Sequence, residues 1–355
     1  MLAFGLIRLD LYVFMKILHI ANFGFNKQGA HFYCTDRKIS AGLTQNGHFV
    51  YDFSFRDMAR MGTIFKTKKL GANWANKEIL KIVDNLEPEL ILIGHSDLMS
   101  PTVLKEIKLK YPKTKIAFWY VDPLYLEQKL GFIREFSPYL DAIFCTTGGE
   151  YLQKLKHPHL KVGYMPNIGH QNVERLVQFE QQEIKQSFIF CGVVYKEPHR
   201  EQFLSDLADA LKQAQVSFQY YGCFGHAGVY GKEYYKVLAQ SKMGLNYSRR
   251  NDVTLYSSDR IVQLTGNGLL TFSPKIPGFN ALYTDQEIVY FDDQFDLAQK
   301  ITFYEQNPEQ AKKVAQAGWQ KTRTSFNAKR ITNYMLEVTF GQEFSDIYEW
   351  QHEVY

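Results

Sequence analysis

Cysteine is scarce in this sequence, with four residues in 355: Cys34, Cys145, Cys191 and Cys223. No two of them form the Cys-x-x-Cys pair that is typical of structural zinc sites, so we expect no metal centre of this kind. Cys145 and Cys191 lie in apolar runs, where a reduced and buried thiol is the expected state. This usage fits a reducing cytoplasm.

The sequence also lacks an apolar run of the roughly 20 residues that a membrane-spanning helix needs. Its first residues, MLAFGLIRLDLYVF, are apolar but are interrupted by Arg8 and Asp10, and no small-residue cleavage site follows. Since Met15 and KILHIANFG resemble the start of an α/β domain, we expect 1–14 to be a start-site extension. The alternative is a segment that touches a membrane, which would make the cytoplasmic protein peripheral at the inner face.

Strong charge bias and nucleotide-binding glycine motifs are absent too. A net charge of +4 does not suggest nucleic acid as a partner, although it tolerates a phosphate-bearing ligand. Gly24 and Gly29 have the spacing of a P-loop but lack its Lys-Ser/Thr, and no Gly-x-Gly-x-x-Gly fingerprint is present. These absences disfavour P-loop enzymes and nicotinamide dehydrogenases.

What the sequence has is a regular alternation of strand and helix patterns. In the first half, strand-like runs cover 16–23, 48–55, 89–94, 115–121, 141–147 and 161–166, and helical patterns cover 31–46, 73–86 and 101–111. In the second half, strand-like runs cover 187–192, 216–222, 243–248, 269–272 and 287–291, and helical patterns cover 199–214, 232–241, 257–268 and most of 294–339. Such alternation predicts parallel βαβ units.

The rhythm breaks once, over the Gln- and Glu-rich segment 171–186, which we interpret as a linker. The sequence therefore predicts an α/β protein with two doubly wound, Rossmann-like domains over 15–170 and 187–330. Ligands of such sheets bind beyond the carboxyl ends of the strands. Residues that directly follow each strand are thus the candidates for function.

A further candidate is the stretch Ser257-Ser258-Asp259-Arg260, at the start of the predicted helix 257–268. Two hydroxyls before a predicted helix suit an N-cap, and the N–H groups of a helix start also suit a diphosphate. The guanidinium of Arg260 matches phosphate oxygens. The alternative is an ordinary cap followed by a surface arginine.

The order of motifs around this stretch resembles a known family. The run from Ser257 to Phe272, the loop PGFNALY and the strand QEIVYFDD resemble the C-terminal module of group 1 glycosyltransferases. They are most similar to the spore-maturation (CgeB-like) branch. The resemblance covers about 187–330, while the first half shares only the general pattern, including the aromatic strand that ends in Asp122-Pro123.

This resemblance implies the GT-B fold, in which two Rossmann-like domains face a cleft and a C-terminal helix, here 331–355, returns to the N-terminal domain. It implies a metal-independent glycosyltransferase without a cofactor, whose nucleotide-diphosphate sugar binds the C-terminal domain. The acceptor hydroxyl, on a glycan, lipid-linked or small molecule, binds the N-terminal domain. Cell-envelope polysaccharide or glycoconjugate synthesis is the expected context. A non-catalytic nucleotide-sugar-binding protein and a sugar-nucleotide epimerase remain the alternatives.

For the donor, the resemblance makes Arg260 and the amides of Ser257 and Ser258 the expected diphosphate ligands. Other candidates follow strands of the second half: Gly192, Lys196, Arg200, Tyr221, Gly222 and Tyr247. The sequence departs from the family at Gln263, which stands where a Glu usually binds the donor ribose. Glutamine offers one acceptor oxygen and an amide donor, so it can still bind a diol, but less strongly.

For the acceptor, the candidates follow strands of the first half. His95 and Asp97 come after a buried strand, and Asp122 follows the next one, so each could deprotonate a hydroxyl. A turn histidine and a capping aspartate are the plain alternatives. The loop of Gly24, Phe25 and Asn26 follows the first strand, where glycine lets the backbone approach a ligand closely.

Overall fold

The computed structural model describes residues 14–355. The predicted start-site extension therefore lies, apart from Phe14, outside the described residues. Within residues 14–355, no helix is long and apolar enough to cross a bilayer.

The first half forms a parallel sheet with helices between its strands. Its strands are β1 (Lys16–Ala21), β2 (Phe49–Ser54), β3 (Leu90–Ile93), β4 (Lys115–Tyr120), β5 (Ala142–Cys145) and β6 (Lys161–Tyr164). Its helices are α1 (Thr35–Gln45), α2 (Phe55–Met61), α3 (Ala72–Leu86), α4 (Pro101–Lys110), α5 (Gly131–Phe136) and α6 (Gly149–Gln153). The strand order is β2-β1-β3-β4-β5-β6, and every neighbouring pair is parallel.

The second half repeats this plan with five strands. These are β7 (Gln186–Cys191), β8 (Phe218–Tyr221), β9 (Ser241–Leu245), β10 (Leu270–Pro274) and β11 (Val289–Phe291). Its helices are α7 (Pro198–Gln213), α8 (Gly231–Leu238), α9 (Arg260–Gly266), α10 (Gln294–Gln306) and α11 (Pro308–Thr324). The order β11-β10-β9-β7-β8 is again entirely parallel, which confirms the α/β fold class with two Rossmann-like domains.

The sequence patterns explain most of these elements. Strands such as β3 and β5 are fully buried, because helices cover both faces of a parallel sheet, and they accordingly read as continuous apolar runs. Ser100 caps α4 by accepting from the Thr102 N–H, and Pro101 occupies the first helical position. Helix α2 is a difference from the sequence prediction: it begins at Phe55, directly after β2, and its seven residues are too few to show a helical period.

Both sheets contain a point where the chain reverses its direction of travel across the sheet. In the first sheet this point lies between β1 and β3, and in the second it lies between β7 and β9. Connections leave on opposite faces there, which opens a crevice at the carboxyl ends of the two strands. The loops after β1, β3, β7 and β9 are therefore where we expect residues that contact a ligand.

The C-terminal segment packs on the N-terminal domain. Helix α12 (Ala328–Phe340) lies against α1, where the Asn46 side-chain amide donates to the Lys329 carbonyl at 2.8 Å. The last residue, Tyr355, exchanges backbone hydrogen bonds with Val162 of β6 at 2.8 and 2.9 Å. The chain thus crosses back from the second sheet and closes along the edge of the first.

The junction between the domains is packed, and a buried ion pair lies within it. Lys38 of α1 and Glu174 of the predicted linker are both almost fully buried, with Nζ and Oε1 2.6 Å apart. The Tyr235 hydroxyl of α8 donates to the same carboxylate oxygen at 3.1 Å. The segment predicted as a linker therefore connects an N-terminal helix to a C-terminal one through buried side chains.

Candidate active site

Two arginines converge on the backbone after β7. Arg260, the first residue of α9, donates from Nε to the Cys191 carbonyl at 2.7 Å. Arg200, from the first turn of α7, donates from Nη2 to the Tyr247 carbonyl at 2.7 Å, and Arg260 Nη1 reaches the same oxygen at 3.3 Å. A Cβ on Gly192 would lie 2.7 Å from Arg260 Nη2, so a larger residue there would displace the guanidinium.

The charge of this pair is poorly compensated. Arg200 contacts the Glu197 carboxylate at 3.0 Å, but among residues 14–355 no carboxylate lies within ion-pair distance of Arg260. Burial and the neighbouring Arg260 charge lower the pKa of Arg200, and its buried Nε has no hydrogen-bond partner within the described chain. Two adjacent guanidinium groups with one carboxylate form a site that favours an anion.

The local structure before α9 differs from the predicted cap. The helix begins at Arg260 and its N-cap is Asp259, so Ser257 and Ser258 do not cap it. Ser257 is buried, and its hydroxyl donates to Asn246 Oδ1 at 3.1 Å, which ties the segment to the end of β9. The prediction that a serine hydroxyl caps this helix was wrong, because Asp259 is the N-cap and the Ser257 hydroxyl bonds Asn246 in the tertiary structure. The proposed contact of the Ser257 and Ser258 amides with a ligand stays a prediction.

Arg260 borders a cavity that both domains line, and Arg200 lies beside it through the Tyr247 carbonyl that both arginines share. This cavity has a volume of about 170 Å³. Gly192, Asp259, Arg260 and Gln263 line it from the C-terminal domain, and Tyr33 lines it from the N-terminal loop before α1. The predicted donor residues Gly192, Arg260 and Gln263 therefore come together at the junction of the two lobes.

Gln263 is held in place by its neighbour Asp259. Its side-chain Nε2 donates to Asp259 Oδ2 at 2.7 Å. The Asp259 side chain is exposed to solvent and lines the cavity beside Arg260. A carboxylate thus lies one helical turn from the position where the resembled family carries its Glu. Sequence reasoning missed this residue, although Asp259 was within the quoted motif.

The remaining candidates for donor binding do not line this cavity. The Tyr247 carbonyl accepts hydrogen bonds from both arginines. Its ring stacks on Phe203 at a centroid distance of 4.2 Å, so one face of the ring is not available to stack on a base. Gly222 adopts a φ of 84°, and a Cβ there would approach the Gly192 carbonyl oxygen at 2.8 Å. Lys196 is exposed with Nζ over the Tyr195 ring, and Tyr221 ends the edge strand β8.

At the N-terminal sheet, His95 after β3 forms a dyad with Asp36. Its Nδ1 lies 3.1 and 3.2 Å from the two carboxylate oxygens of Asp36, which sits in the first turn of α1. The side chain of Asp36 is buried and also accepts from the Asn22 N–H at 2.9 Å. The His95 side chain remains 30% exposed, so its Nε2 side can meet a ligand.

Each member of this dyad shifts the pKa of the other. Burial acts to lower the pKa of His95, but the hydrogen bond and the charge of Asp36 outweigh it, and the pKa lies above its ordinary value. Burial likewise acts to raise the pKa of Asp36, and the hydrogen bond and charge of His95 hold it below its ordinary value. An ionised carboxylate that accepts from Nδ1 leaves Nε2 as the proton acceptor of the neutral ring.

The other two predicted acids differ in their surroundings. Asp97 binds Arg56, with Nη2 at 2.8 Å, and lies 3.7 Å from Lys68 Nζ, so its charge is compensated at the surface. Asp122 follows β4, and its charge contributes to the raised pKa of His95. His95 therefore differs from Asp97 in that its partner is a buried carboxylate, whereas the partners of Asp97 are cations at the surface.

The ring of Trp119 packs against the His95 ring. Its centroid lies 4.9 Å from that of His95 in an edge-on arrangement. Trp119 Nε1 donates to Nε2 of the buried His19 at 3.0 Å, and burial lowers the pKa of His19 to about 4. A Cβ on Gly94 would lie 2.1 Å from the Trp119 ring, so glycine is required at the end of β3. His19 is therefore a neutral structural residue.

The loop after β1 extends toward the other domain. Gly24 is left-handed with a φ of 62°, and Phe25 and Asn26 are exposed in the short helical turn that follows. Farther along, the Tyr33 hydroxyl accepts from the Gly231 N–H at 3.4 Å, which joins this loop to the start of α8. The predicted acceptor loop thus borders the junction from which Tyr33 enters the shared cavity.

Comparisons with known proteins agree with this architecture. Residues 200–337 match the family described as Glycosyl transferase-like, a stretch that begins at Arg200 and includes Arg260 and Gln263. No curated protein matches the chain in sequence. The match to the spore-maturation branch stays a prediction.

Solved structures share the fold over nearly the whole chain. Sucrose-phosphate synthase from Thermosynechococcus elongatus has 12% identity, a TM-score of 0.62, and coverage of 92% of this chain and 98% of its own. HepE from Anabaena, in complex with UDP and glucose, has 11% identity, a TM-score of 0.53, and coverage of 92% and 100%. The UDP-forming α,α-trehalose-phosphate synthase from Burkholderia xenovorans has 11% identity, a TM-score of 0.55, and coverage of 92% and 99%. The chain therefore has the two-domain GT-B fold of these proteins, and its second half matches a glycosyl transferase-like family.

Proposed function

We propose that this protein is a glycosyltransferase that moves a sugar from a nucleotide-diphosphate sugar to an acceptor hydroxyl. The observation that supports it best is the Arg200–Arg260 pair at the reversal point of the C-terminal sheet. Arg260 lines a cavity that both domains border and shares the Tyr247 carbonyl with Arg200, and the ion pair recorded for these two guanidinium groups is that of Arg200 with Glu197. A diphosphate is an anion of the right charge for two guanidinium forks.

The reaction needs positive charge where the diphosphate leaves. In our proposal the acceptor oxygen bonds to the anomeric carbon, and the bond from that carbon to the diphosphate breaks with its electron pair. The developing charge on the diphosphate is stabilised by Arg200 and Arg260, in the role that a metal ion has in other transferases. The absence of an Asp-x-Asp motif in the sequence agrees with this metal-independent scheme.

The acceptor proton passes to His95. Asp36 accepts from Nδ1 and so fixes the ring with Nε2 available, at the reversal point of the N-terminal sheet. Transfer requires the neutral ring, and the imidazolium that forms is stabilised by the Asp36 carboxylate. His95 is thus the proposed base and Asp36 its positioning residue.

Asp259 takes the place of the missing family glutamate in this proposal. Its carboxylate is oriented by the Gln263 amide and faces the cavity that holds Arg260. A carboxylate can accept from both hydroxyls of a ribose, whereas the Gln263 oxygen can accept from one. The donor ribose would therefore bind beside the Asp259 carboxylate, which the Gln263 amide orients.

A ligand screen followed by a turnover assay tests the proposal. The full chain is first heated with a panel of nucleoside diphosphates and nucleotide sugars, because a ligand that binds only the native state raises the melting temperature. Donor hydrolysis is then measured for the stabilising sugar nucleotide. We expect release of nucleoside diphosphate by the unchanged chain and a loss of about 10²- to 10³-fold in Arg260→Ala.

A matched replacement controls for the loss of surface charge. Arg134→Ala removes an exposed arginine that pairs with Glu127 and does not line the cavity, and it should leave both measurements unchanged. Stabilisation by no nucleotide, or equal hydrolysis by the Arg260→Ala and unchanged chains, contradicts the proposal. Donor conversion without release of a nucleoside diphosphate would indicate an epimerase instead.

A further inference from the structure

The segment between α2 and α3 exposes large apolar side chains to an unusual degree. Met61, Ile64, Phe65 and Leu70 are 72%, 95%, 76% and 64% exposed, respectively. Single exposed apolar residues are common on soluble proteins, but four within ten residues form a patch. The segment is not disorganised, since the Lys66 N–H donates to the Thr63 carbonyl and the Gly71 N–H to the Thr67 carbonyl. We call residues 61–70 the apolar loop.

Positive charge surrounds this apolar loop. Residues 58–77 contain Arg60, Lys66, Lys68, Lys69 and Lys77 and no aspartate or glutamate. Lys66 and Lys69 are exposed, and Lys68 Nζ lies 3.7 Å from Asp97 Oδ2. Exposed apolar side chains interleaved with lysines are the combination that binds the surface of an anionic bilayer.

The position of the apolar loop is as informative as its composition. It follows β2 and α2 and precedes the return of α3, so it lies at the carboxyl edge of the N-terminal sheet. Lys68 reaches Asp97, which is two residues from His95. The loop therefore borders the N-terminal part of the candidate site and is separate from the cavity between the domains.

We propose that the apolar loop docks on a bilayer that contains anionic phospholipids, with Ile64 and Phe65 inserted among the headgroups and the lysines on the lipid phosphates. The charge complementarity of the loop favours this occupant over an apolar protein groove. Docking would hold the N-terminal domain with the His95 edge at the membrane surface. If the proposed function holds, the acceptor is carried by a membrane lipid. Docking itself does not depend on the proposed function.

Vesicle flotation with the full chain tests docking without any turnover. We expect binding to vesicles of phosphatidylglycerol and phosphatidylcholine, weaker binding to phosphatidylcholine alone, and loss of binding at high salt as the charges are screened. The variant I64S/F65S should lose at least about 10-fold in affinity, because it removes the two inserted side chains. The matched control L109S/I347S replaces two exposed apolar residues elsewhere and should bind as the unchanged chain does.

The contribution of charge is tested in the same assay. Each lysine near an anionic surface strengthens binding by roughly five-fold, so we expect about a 100-fold loss of binding in the variant K66E/K68E/K69E. The control variant changes three exposed lysines elsewhere: K105E/K113E/K212E. These side chains lie at the surface, and K68E also replaces the exposed Lys68–Asp97 contact by a pair of like charges, so thermal unfolding should change little in any variant.

Three outcomes would overturn the docking proposal: no binding of the full chain to anionic vesicles, equal binding by I64S/F65S, or an equal loss in the control variants. Nucleoside diphosphate binding measured on the same samples separates docking from the proposed function. Lost docking with intact nucleotide binding in I64S/F65S supports the surface we propose. A chain that binds vesicles but no nucleotide leaves docking in place and refutes the transferase.

Discussion

The two sheets of this protein share a plan but differ in the chemistry at their carboxyl edges. In each, the strand order reverses between the first and third strands of the domain, β1 and β3 or β7 and β9. The N-terminal edge carries an imidazole and a buried carboxylate, His95 and Asp36, whereas the C-terminal edge carries the guanidinium groups of Arg200 and Arg260.

In our proposal, this difference assigns separate steps of one reaction to the two sheets. A parallel sheet brings the residues after its central strands to one crevice, whatever those residues are. The side chains then decide whether the crevice handles a proton or an anion. In our account the N-terminal edge activates the acceptor and the C-terminal edge stabilises the leaving group, with the junction holding the two edges together.

The largest expected effect comes from breaking the N-terminal edge alone. His95→Gln removes the proposed base, and general base catalysis contributes about 10²- to 10⁴-fold. We expect the rate of sugar transfer to fall by such a factor while nucleoside diphosphate affinity, measured by calorimetry, stays the same. His157→Gln, at an exposed position, is the control. Equal rates in both variants would remove His95 from the mechanism.

The next expected effect is on the stability of the junction that holds the two sheet edges together. Glu174→Gln leaves the ammonium group of Lys38 buried without its counterion, which costs about 3–5 kcal/mol of unfolding free energy. The exposed pair Lys312 and Glu180 offers a control, and Glu180→Gln should cost less than about 1 kcal/mol. Denaturant unfolding measures both. Similar values for the two variants would show that the buried pair does not hold the junction.

A change at Asp36 sharpens the role of the N-terminal edge. The unchanged chain should lose activity as the pH falls through a His95 pKa above the ordinary 6.5, because the protonated ring cannot accept a proton. In Asp36→Asn burial still lowers this pKa and the largest raising influence is gone, while the smaller one of Asp122 remains, so the pKa should fall and the acidic limb should move to lower pH. The pH profile of kcat/KM measures the shift. An unmoved acidic limb would show that Asp36 does not tune His95.

The smallest effect is expected inside the C-terminal edge. Asp259→Asn removes a proposed ribose acceptor, so nucleoside diphosphate affinity should fall by roughly 3- to 10-fold, the value of one hydrogen bond. Pyrophosphate lacks a ribose, and its competition for the site should be unaffected. Gln202→Glu on the exposed face of α7 is a polar control. Equal losses for nucleotide and pyrophosphate would assign Asp259 to the diphosphate instead.

The strength of the periodic signal explains how much of the fold the sequence predicts. Buried parallel strands such as β3 and β5 are continuous apolar runs, so their existence and order along the chain are evident without coordinates. Helix α2 has no such signal, because seven residues after a strand complete barely two turns. The sheet edges then place the residues after each strand, which is why His95 and Gly192 are predicted as candidates, whereas Arg260 is predicted from its place at the start of a helix.

Contacts between distant parts of the chain are what the sequence withholds. Asp36 lies 59 residues from His95 and has no motif around it, so the dyad becomes visible only when the fold brings the first turn of α1 beside the loop after β3. Glu174 lies in a polar segment typical of a linker, yet it is buried against Lys38. Ser257 has the residue type of a cap, but its hydroxyl bonds Asn246 instead. In each case, tertiary packing decides between local alternatives of similar energy.

The central claim is that the C-terminal edge binds the diphosphate of the donor. A crystal structure of the full chain with a bound nucleoside diphosphate tests it most directly. The account predicts diphosphate oxygens within hydrogen-bond distance of the Arg260 guanidinium and beside Arg200, with the ribose at Asp259. A diphosphate bound at the His95 edge, or outside the cavity that Tyr33 and Arg260 line, would contradict it.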